Sequence, residues 1–291
     1  MSQVKAMPQV KNEPQVEPTY QVLALDLDGT VLTDDHTIHP EIKQAISEAQ
    51  KVCHVVIVTG RHHTAAKPYY DELELTTPII CCNGTYVYDY QLQQVLEHNA
   101  ISKDNALQFI QMANEFQMKL VMYVTNEMTY SSKTPIQYMQ QLESWAKQYP
   151  KGQQPQIRTV DSFNELAEQT DYVWKFVVEG DVNLVQRLAE DPWVSQHFNG
   201  ERSWSNRIDF AAKGNNKGAR LANYVQKLGF TAEQVIAIGD NHNDISMLEF
   251  AGLGVAMKNA DDTVKSNAQL TCSTDNNSNG IARLIREKFK G

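Results

Sequence analysis

Val22-Leu23-Ala24-Leu25-Asp26-Leu27-Asp28-Gly29-Thr30 is the stretch from which the rest of the chain can be read. Its first four residues form a short apolar run suited to a buried strand. The run then delivers two carboxylates, two residues apart, to the strand mouth. A charge at the end of an apolar strand is costly unless it is paired. Asp26 and Asp28 therefore require a cation in front of them, or a proton on one of them. A divalent metal and a phosphoryl group together would meet both demands. Asp26, nearest the strand, is the candidate nucleophile, and Asp28 the candidate acid and then base. Two close carboxylates can take different roles when their surroundings separate their pKa values. The plainer alternative is a turn in which Asp28-Gly29 merely closes the strand.

The same pattern recurs downstream. Pro40 opens a helix with Ile42, Ala45, Ile46 and Ala49 on one face. His54-Val55-Val56-Ile57-Val58 is a continuous apolar run of the kind found in central parallel strands, and it ends on Thr59-Gly60-Arg61. A further helix leads to Ile79-Ile80-Cys81-Cys82, which ends on Asn83-Gly84. Strand, helix, strand, helix, strand predicts right-handed crossovers and a doubly wound, Rossmann-like α/β sheet. Such sheets bind ligands beyond the carboxyl ends of their strands.

Residues 87–207 read differently. Strand-like segments at Lys119 to Val124, Tyr172 to Val178 and Trp204 to Phe210 alternate with helical patterns, such as 103–117 with Ala106, Ile110 and Ala113 aligned. They predict an inserted α+β cap domain. Tyr123, Tyr130, Tyr138, Trp145, Tyr172, Trp174 and Phe176 are expected mainly in its core, with a minority facing a cleft and stacking on a substrate ring. From about residue 208 the doubly wound pattern resumes. Gly214-Asn215-Asn216-Lys217-Gly218 opens a helix, Val235-Ile236-Ala237-Ile238-Gly239 forms a buried strand ending at Asp240, and a last helix covers roughly 280–290. The expected core is thus 20–86 plus 208–291. Residues 1–19, in which Pro8-Gln9-Val10 recurs as Pro14-Gln15-Val16, have no helical or strand period and are expected to be a disordered leader.

Composition narrows the function classes. The formal net charge of -9 argues against a general nucleic-acid binder. The chain has no apolar run long enough for a transmembrane helix and no apolar segment of the secretory type near its start. Its four cysteines, Cys53, Cys81, Cys82 and Cys272, lack zinc-pair spacing and are expected to be free thiols in a reducing compartment, the cytoplasm. A monomer or small homo-oligomer acting on a small phosphorylated metabolite fits these bounds.

An acidic protein that handles phosphate must gather positive charge locally. Thr59-Gly60 offers a hydroxyl and backbone N–H groups that donate to phosphate without adding charge. Arg61 could hold a substrate anion or a core carboxylate. Lys217, at a helix start, could neutralise a transferring phosphoryl group, although an isolated lysine there is more often solvated. The segment does not have Walker spacing. Gly239-Asp240-Asn241-His242-Asn243-Asp244 ends another buried strand, and its spacing points Asp240 and Asp244 at a common region. Oxygen ligands of this kind suit Mg2+, whereas EF-hand spacing is not met. His62 and His63 are adjacent, so they diverge and make a poor metal pair.

Together, Asp26-Leu27-Asp28-Gly29-Thr30, Thr59-Gly60-Arg61, Lys217 and Gly239 to Asp244 resemble the four motifs of the haloacid dehalogenase superfamily phosphatases, and the insertion resembles the type IIB cap of their Cof-like branch. Val58 to His63, Thr77 to Thr85, Val173-Trp174-Lys175-Phe176 and Asn241 to Glu249 are similar to the bacterial pyridoxal phosphate phosphatases of that branch. The resemblance implies Asp26 as nucleophile and metal ligand, and Asp28 as acid/base with its backbone carbonyl on Mg2+. It implies Asp240 as a further ligand, with Asp244 supporting it. The Leu27 backbone, Thr59, Gly60, Lys217 and Asn243 would hold phosphate, while Arg61, Asn83 and Gly84 would lie near the substrate. The expected reaction is hydrolysis of a small phosphomonoester, with pyridoxal 5'-phosphate first among substrates. Rival readings are a sugar-phosphate phosphatase, a phosphomutase and a non-catalytic phospholigand sensor.

Overall fold

The computed structural model describes residues 20–289, so the expected leader lies outside the described residues. The chain passes through β1 (Val22–Leu25), β2 (His54–Ile57) and β3 (Ile79–Cys81) into a hairpin of β4 (Tyr86–Asp89) and β5 (Gln94–His98). Next come β6 (Lys119–Val124), β7 (Glu127–Ser131), β8 (Ile157–Val160), β9 (Val173–Glu179), β10 (Phe198–Trp204) and β11 (Arg207–Ala212). The last strands are β12 (Val235–Gly239), β13 (Leu253–Ala256) and β14 (Leu270–Thr271).

Five strands form a parallel sheet in the order β14-β13-β12-β1-β2. Strand β1 sits inside it, and all four of its residues are fully buried, as its uninterrupted apolar run requires. Leu23, Leu25, Ile57 and Ile238 face the helices Pro40–Ala49 and Gly280–Lys288; Val22, Ala24, Val56 and Ala237 face Lys217–Lys227 and Ile245–Phe250. Ile42, Ala45, Ile46 and Ala49 form the buried stripe of the first helix, as their spacing predicts. Burying each such branched side chain stabilises the fold by roughly 1.5–3 kcal/mol, enough in sum to carry costly polar groups at the strand ends.

Register decides where those polar groups go. Leu25 pairs with Ile57 on one side and Ile238 on the other. The residues that follow, Asp26, Val58-Thr59 and Gly239-Asp240, therefore emerge along one edge of the sheet.

The third strand departs from expectation. It touches the parallel sheet at one bridge, Val58 to Ile80, and otherwise pairs antiparallel with β4 in the three-stranded sheet β3-β4-β5. The second departure is at Trp204 to Phe210. The chain turns there, and β10 and β11 form an antiparallel hairpin rather than one strand. The turn at Ser205-Asn206 carries no glycine or proline signal. These strands belong to a six-stranded mixed sheet, β10-β11-β9-β6-β7-β8, the inserted cap. The expected domain boundaries at 86/87 and 207/208 fall inside β4 and β11.

One face of the cap sheet, with Phe176, Phe198 and Phe210, packs on Phe109 of the helix Lys103–Glu115. The other carries Tyr123, Tyr130 and Trp174 into the same buried cluster as Leu25 and Ile57. Tyr86 of β4 stacks on Trp174 at 4.1 Å between centroids. The cap aromatics thus fill two interiors, one of them the seam with the core. Among the described residues no helix is long and apolar enough to cross a membrane.

Candidate active site

Asp26 follows β1 with 5% of its surface exposed, and Asp240 follows β12. After Asp240 the chain makes a short 3-10 turn, His242–Asp244, before the helix Ile245–Phe250. That turn swings Asp244 back beneath the sheet edge, where it is fully buried. One carboxylate oxygen from each of Asp26, Asp240 and Asp244 lies within 4.8 Å of the others. The backbone N–H groups of Asp240 and Asn241 donate to Asp244 Oδ2 at 2.9 and 3.0 Å, fixing its orientation.

Lys217 is the cation of this cluster. Asn216 caps its helix by accepting from Ala219 N, so the lysine sits at the first helical position and reaches inward. Its Nζ donates to Asp26 Oδ1 and Asp244 Oδ1, both at 2.6 Å, with its side chain fully buried. Burial works against its charge, but Asp244 and Asp26 outweigh it and hold the Lys217 pKa above the ordinary lysine value. The solvated-lysine alternative is thereby excluded.

One ammonium does not balance three acids. Burial, then repulsion from Asp244, pushes Asp26 well above the usual carboxylate range. The same two causes raise Asp240 to about 7. Thr30 Oγ1 donates to Asp240 at 3.2 Å, and Asn259 Nδ2 donates to Asp240 and to the Gly29 carbonyl. The remaining deficit of positive charge, with oxygen donors converging from three directions, fits a divalent cation of the hard, oxygen-loving kind.

Asp28 has a different partner. Arg61 clasps it with two parallel bonds, Nε to Oδ2 at 2.7 Å and Nη2 to Oδ1 at 2.6 Å. Enclosure in the cavity wall opposes ionisation, but the guanidinium outweighs it and holds the Asp28 carboxyl below its ordinary value. Of the two expectations for Arg61, this structure has the core carboxylate. The guanidinium also lies 4.9 Å from the ring centre of Tyr69 and 5.4 Å from that of Trp145.

Thr59 is fully buried, and its hydroxyl accepts from Arg61 N at 3.1 Å. Asn243 and Asn83 meet across the edge, Asn243 Nδ2 donating to Asn83 Oδ1 at 3.0 Å. Of these groups Asp28, Arg61, Asn83 and Asn243, with Gly60 and cap residues, line a cavity of about 660 Å³ between the sheet edge and the cap. The histidine pair is structural. His62 Nε2 bonds the Val124 carbonyl, and His63 Nδ1 bonds Tyr86 Oη. All four cysteines are free thiols.

The cap contributes Lys175, Glu201, Arg202 and Asp209 to the cavity. Lys175 donates to Asp209 at 2.6 Å and to the Gly60 carbonyl at 3.2 Å. Burial opposes its charge; Asp209 prevails and keeps its pKa above the ordinary value. Sequence reasoning gave no role to Lys175, Glu201, Asp209 or Asn259. A lysine inside the apolar run of β9 was a readable signal. Glu201, Asp209 and Asn259 had none, because each depends on contacts far along the chain.

The haloacid dehalogenase-like hydrolase family matches residues 23–285. The chain is 43% identical over 269 residues to the pyridoxal phosphate phosphatase YbhA of Escherichia coli, covering 92% of this chain and 98% of the relative. It is 30% identical to a 5-amino-6-(5-phospho-D-ribitylamino)uracil phosphatase of Bacillus subtilis, covering 91% and 94% of the two chains. The solved structure of a subclass IIB sugar phosphatase superimposes with a TM-score of 0.75 at 21% identity, covering 92% of this chain and 98% of that one. Two packed sheets, a carboxylate triad bridged by one buried lysine, and a family match along nearly the whole described chain lead to one assignment: the protein belongs to the haloacid dehalogenase-like hydrolases, as a phosphatase of their Cof-like IIB branch.

Proposed function

We propose that the protein hydrolyses pyridoxal 5'-phosphate through an aspartyl phosphate formed on Asp26, with Mg2+ as its cofactor. The observation that carries the chemistry is the Lys217 bridge between Asp26 and Asp244 inside a triad still short of positive charge. Asp26, the Asp28 backbone carbonyl and Asp240 would hold the metal, with Asp244 behind them. So held, the cation would neutralise charge on the phosphoryl group and on the carboxylate approaching it.

The Asp26 carboxylate attacks phosphorus as the ester P–O bond breaks, and Asp28 gives its proton to the departing oxygen. Water then attacks the same phosphorus, Asp28 takes the water's proton, and Asp26 is released with inorganic phosphate. Thr59, Gly60, Lys217, Asn243 and the Leu27 backbone hold the phosphate oxygens. In the first step Asp28 must carry a proton, which its Arg61 clasp opposes. The clasp therefore opens, or loosens, when substrate enters.

The 43% identity to a pyridoxal phosphate phosphatase supports the leaving group. One observation favours a second reading, a sugar phosphate: no Tyr, Trp or Phe lines the cavity among the described residues, whereas Asn83, Lys175, Glu201, Arg202 and Asp209 do. Polar groups of this density suit a polyol. The test is kcat/KM for pyridoxal 5'-phosphate against hexose and pentose phosphates, with Mg2+ and then with chelator. The proposal expects pyridoxal 5'-phosphate at least tenfold ahead and no turnover in chelator. A sugar phosphate in the lead would overturn the substrate, and turnover in chelator the metal.

A further inference from the structure

Cys82, Asn83 and Gly84 are three successive residues in left-handed backbone, with φ of 48°, 56° and 87°. Non-glycine residues hold that conformation only where their surroundings fix it, and such strain clusters at functional sites. The backbone is fixed from two sides. Cys82 N donates to the Arg61 carbonyl and Asn83 N to the Thr59 carbonyl, each at 3.0 Å. On the other side, a Cβ on Gly84 would lie 2.2 Å from the carbonyl of Asn216, the residue that caps the Lys217 helix. These contacts explain the turn but not the Asn83 side chain.

That side chain is 9% exposed and spoken for at both ends. Its Nδ2 donates to Glu201 of the cap strand β10, and its Oδ1 accepts from Asn243 Nδ2 at 3.0 Å. An amide nitrogen carries two N–H groups in one plane. Committing one N–H of Asn243 to Asn83 fixes that plane and therefore aims the other. Asn243 Oδ1, on the same plane, is buried with no partner among the described residues, so nothing else sets the orientation.

We propose that Asn83 is a positioning residue that relays the place of the cap to the phosphate site: Glu201 orients the Asn83 amide, and Asn83 orients the Asn243 amide toward a phosphoryl oxygen. The proposal rests on Asn243 as a phosphate donor. It makes a prediction opposite in sign to simple electrostatics. Removing a carboxylate near an anion site should tighten anion binding. Removing the Glu201 carboxylate should instead weaken it, because the relay loses its anchor.

The experiment is calorimetric titration of inorganic phosphate into the full chain with Mg2+, for wild type, Glu201→Ala, Glu201→Gln, Asn83→Ala, Asn243→Ala and the Glu201→Ala/Asn83→Ala pair. Losing one oriented hydrogen bond corresponds to about a tenfold rise in Kd. Glu201→Ala and Asn83→Ala should each show it, the pair should be no weaker than Asn83→Ala alone, and Glu201→Gln, which keeps the acceptor, should stay within about twofold of wild type. Tighter or unchanged binding by Glu201→Ala, or additive losses in the pair, would overturn the relay while Asn243→Ala still weakens binding. If Asn243→Ala is silent, the phosphate role of Asn243 falls and the relay with it. Glu201→Gln keeps the test open if an alanine variant fails to fold.

Discussion

Lys217 holds its ammonium 2.6 Å from Asp26 Oδ1, with both side chains buried. An ion pair in such a place is costly to break, because removing one partner strands the other charge. Lys217→Met should therefore destabilise the metal-free protein by about 3–5 kcal/mol in urea unfolding. Adding Asp26→Asn in the same background should recover part of that loss, since one stranded acid is gone. A double variant less stable than Lys217→Met alone would contradict this picture.

Arg61 sets the protonation of Asp28. An arginine beside an aspartate lowers its pKa by roughly 1–3 units. In Arg61→Met the opposing enclosure is left to act, so the Asp28 pKa rises. Asp28 must be protonated to serve the leaving oxygen, so the basic limb of the kcat/KM profile should move to higher pH by about one unit or more. Arg61→Lys should not restore the wild-type profile, because an ammonium cannot make the two parallel bonds. An unmoved basic limb in Arg61→Met would separate Asp28 from the titration.

Gly218 lies in the first turn of the Lys217 helix, where alanine ordinarily gains about 1 kcal/mol over glycine. Here a Cβ would lie 2.1 Å from the Ser246 carbonyl, a backbone atom on the Asp244 side of the site. Gly218→Ala should reverse the usual sign, lowering Tm and lowering kcat as Lys217 is pushed from Asp26. A gain in Tm with activity intact would show that the two helices yield more easily than their contact implies.

His62 and His63 predict acid sensitivity. Burial lowers the His62 pKa to about 3, and burial, then His62, lowers that of His63. Both are neutral when folded, whereas unfolded histidine titrates near 6.5. Between those values the unfolded chain binds more protons, so stability rises with pH and is lost as pH falls below about 6.5. For His62 the loss is about 2 kcal/mol at pH 5. Urea unfolding at pH 7 and pH 5 should show a smaller difference in His62→Gln than in wild type. Equal differences would place the acid sensitivity elsewhere.

The core was legible because its signals are local. An apolar run with nothing to alternate against, such as Val22 to Leu25, has few readings besides a buried strand, and charged residues at its end have few besides a site. The motifs then met in space because parallel register aligns strand ends, which the pairing of Leu25 with Ile57 and Ile238 shows directly. Other features were not local. Strand β3 was expected in the parallel sheet, but Ile79-Ile80-Cys81 reads the same in either pairing, and the hairpin partner Tyr86–Asp89 decided it. Glu201 looks like any surface acid on an edge strand until the fold sets it against Asn83. The cap aromatics were expected mainly in the core with a minority at the cleft; Trp174 and Tyr123 are in the core, turned to the seam with Tyr86 and His62.

The central claim is that Asp26 carries the phosphoryl group. The most direct measurement is to quench turnover in acid, reduce the acyl phosphate with borohydride and map the modified peptide by mass spectrometry, beside Asp26→Asn. The account predicts modification at Asp26 alone, none in Asp26→Asn, and a fall in that variant's kcat of at least a thousandfold, roughly 4 kcal/mol of barrier. Modification at another residue, or wild-type turnover by Asp26→Asn, would contradict it.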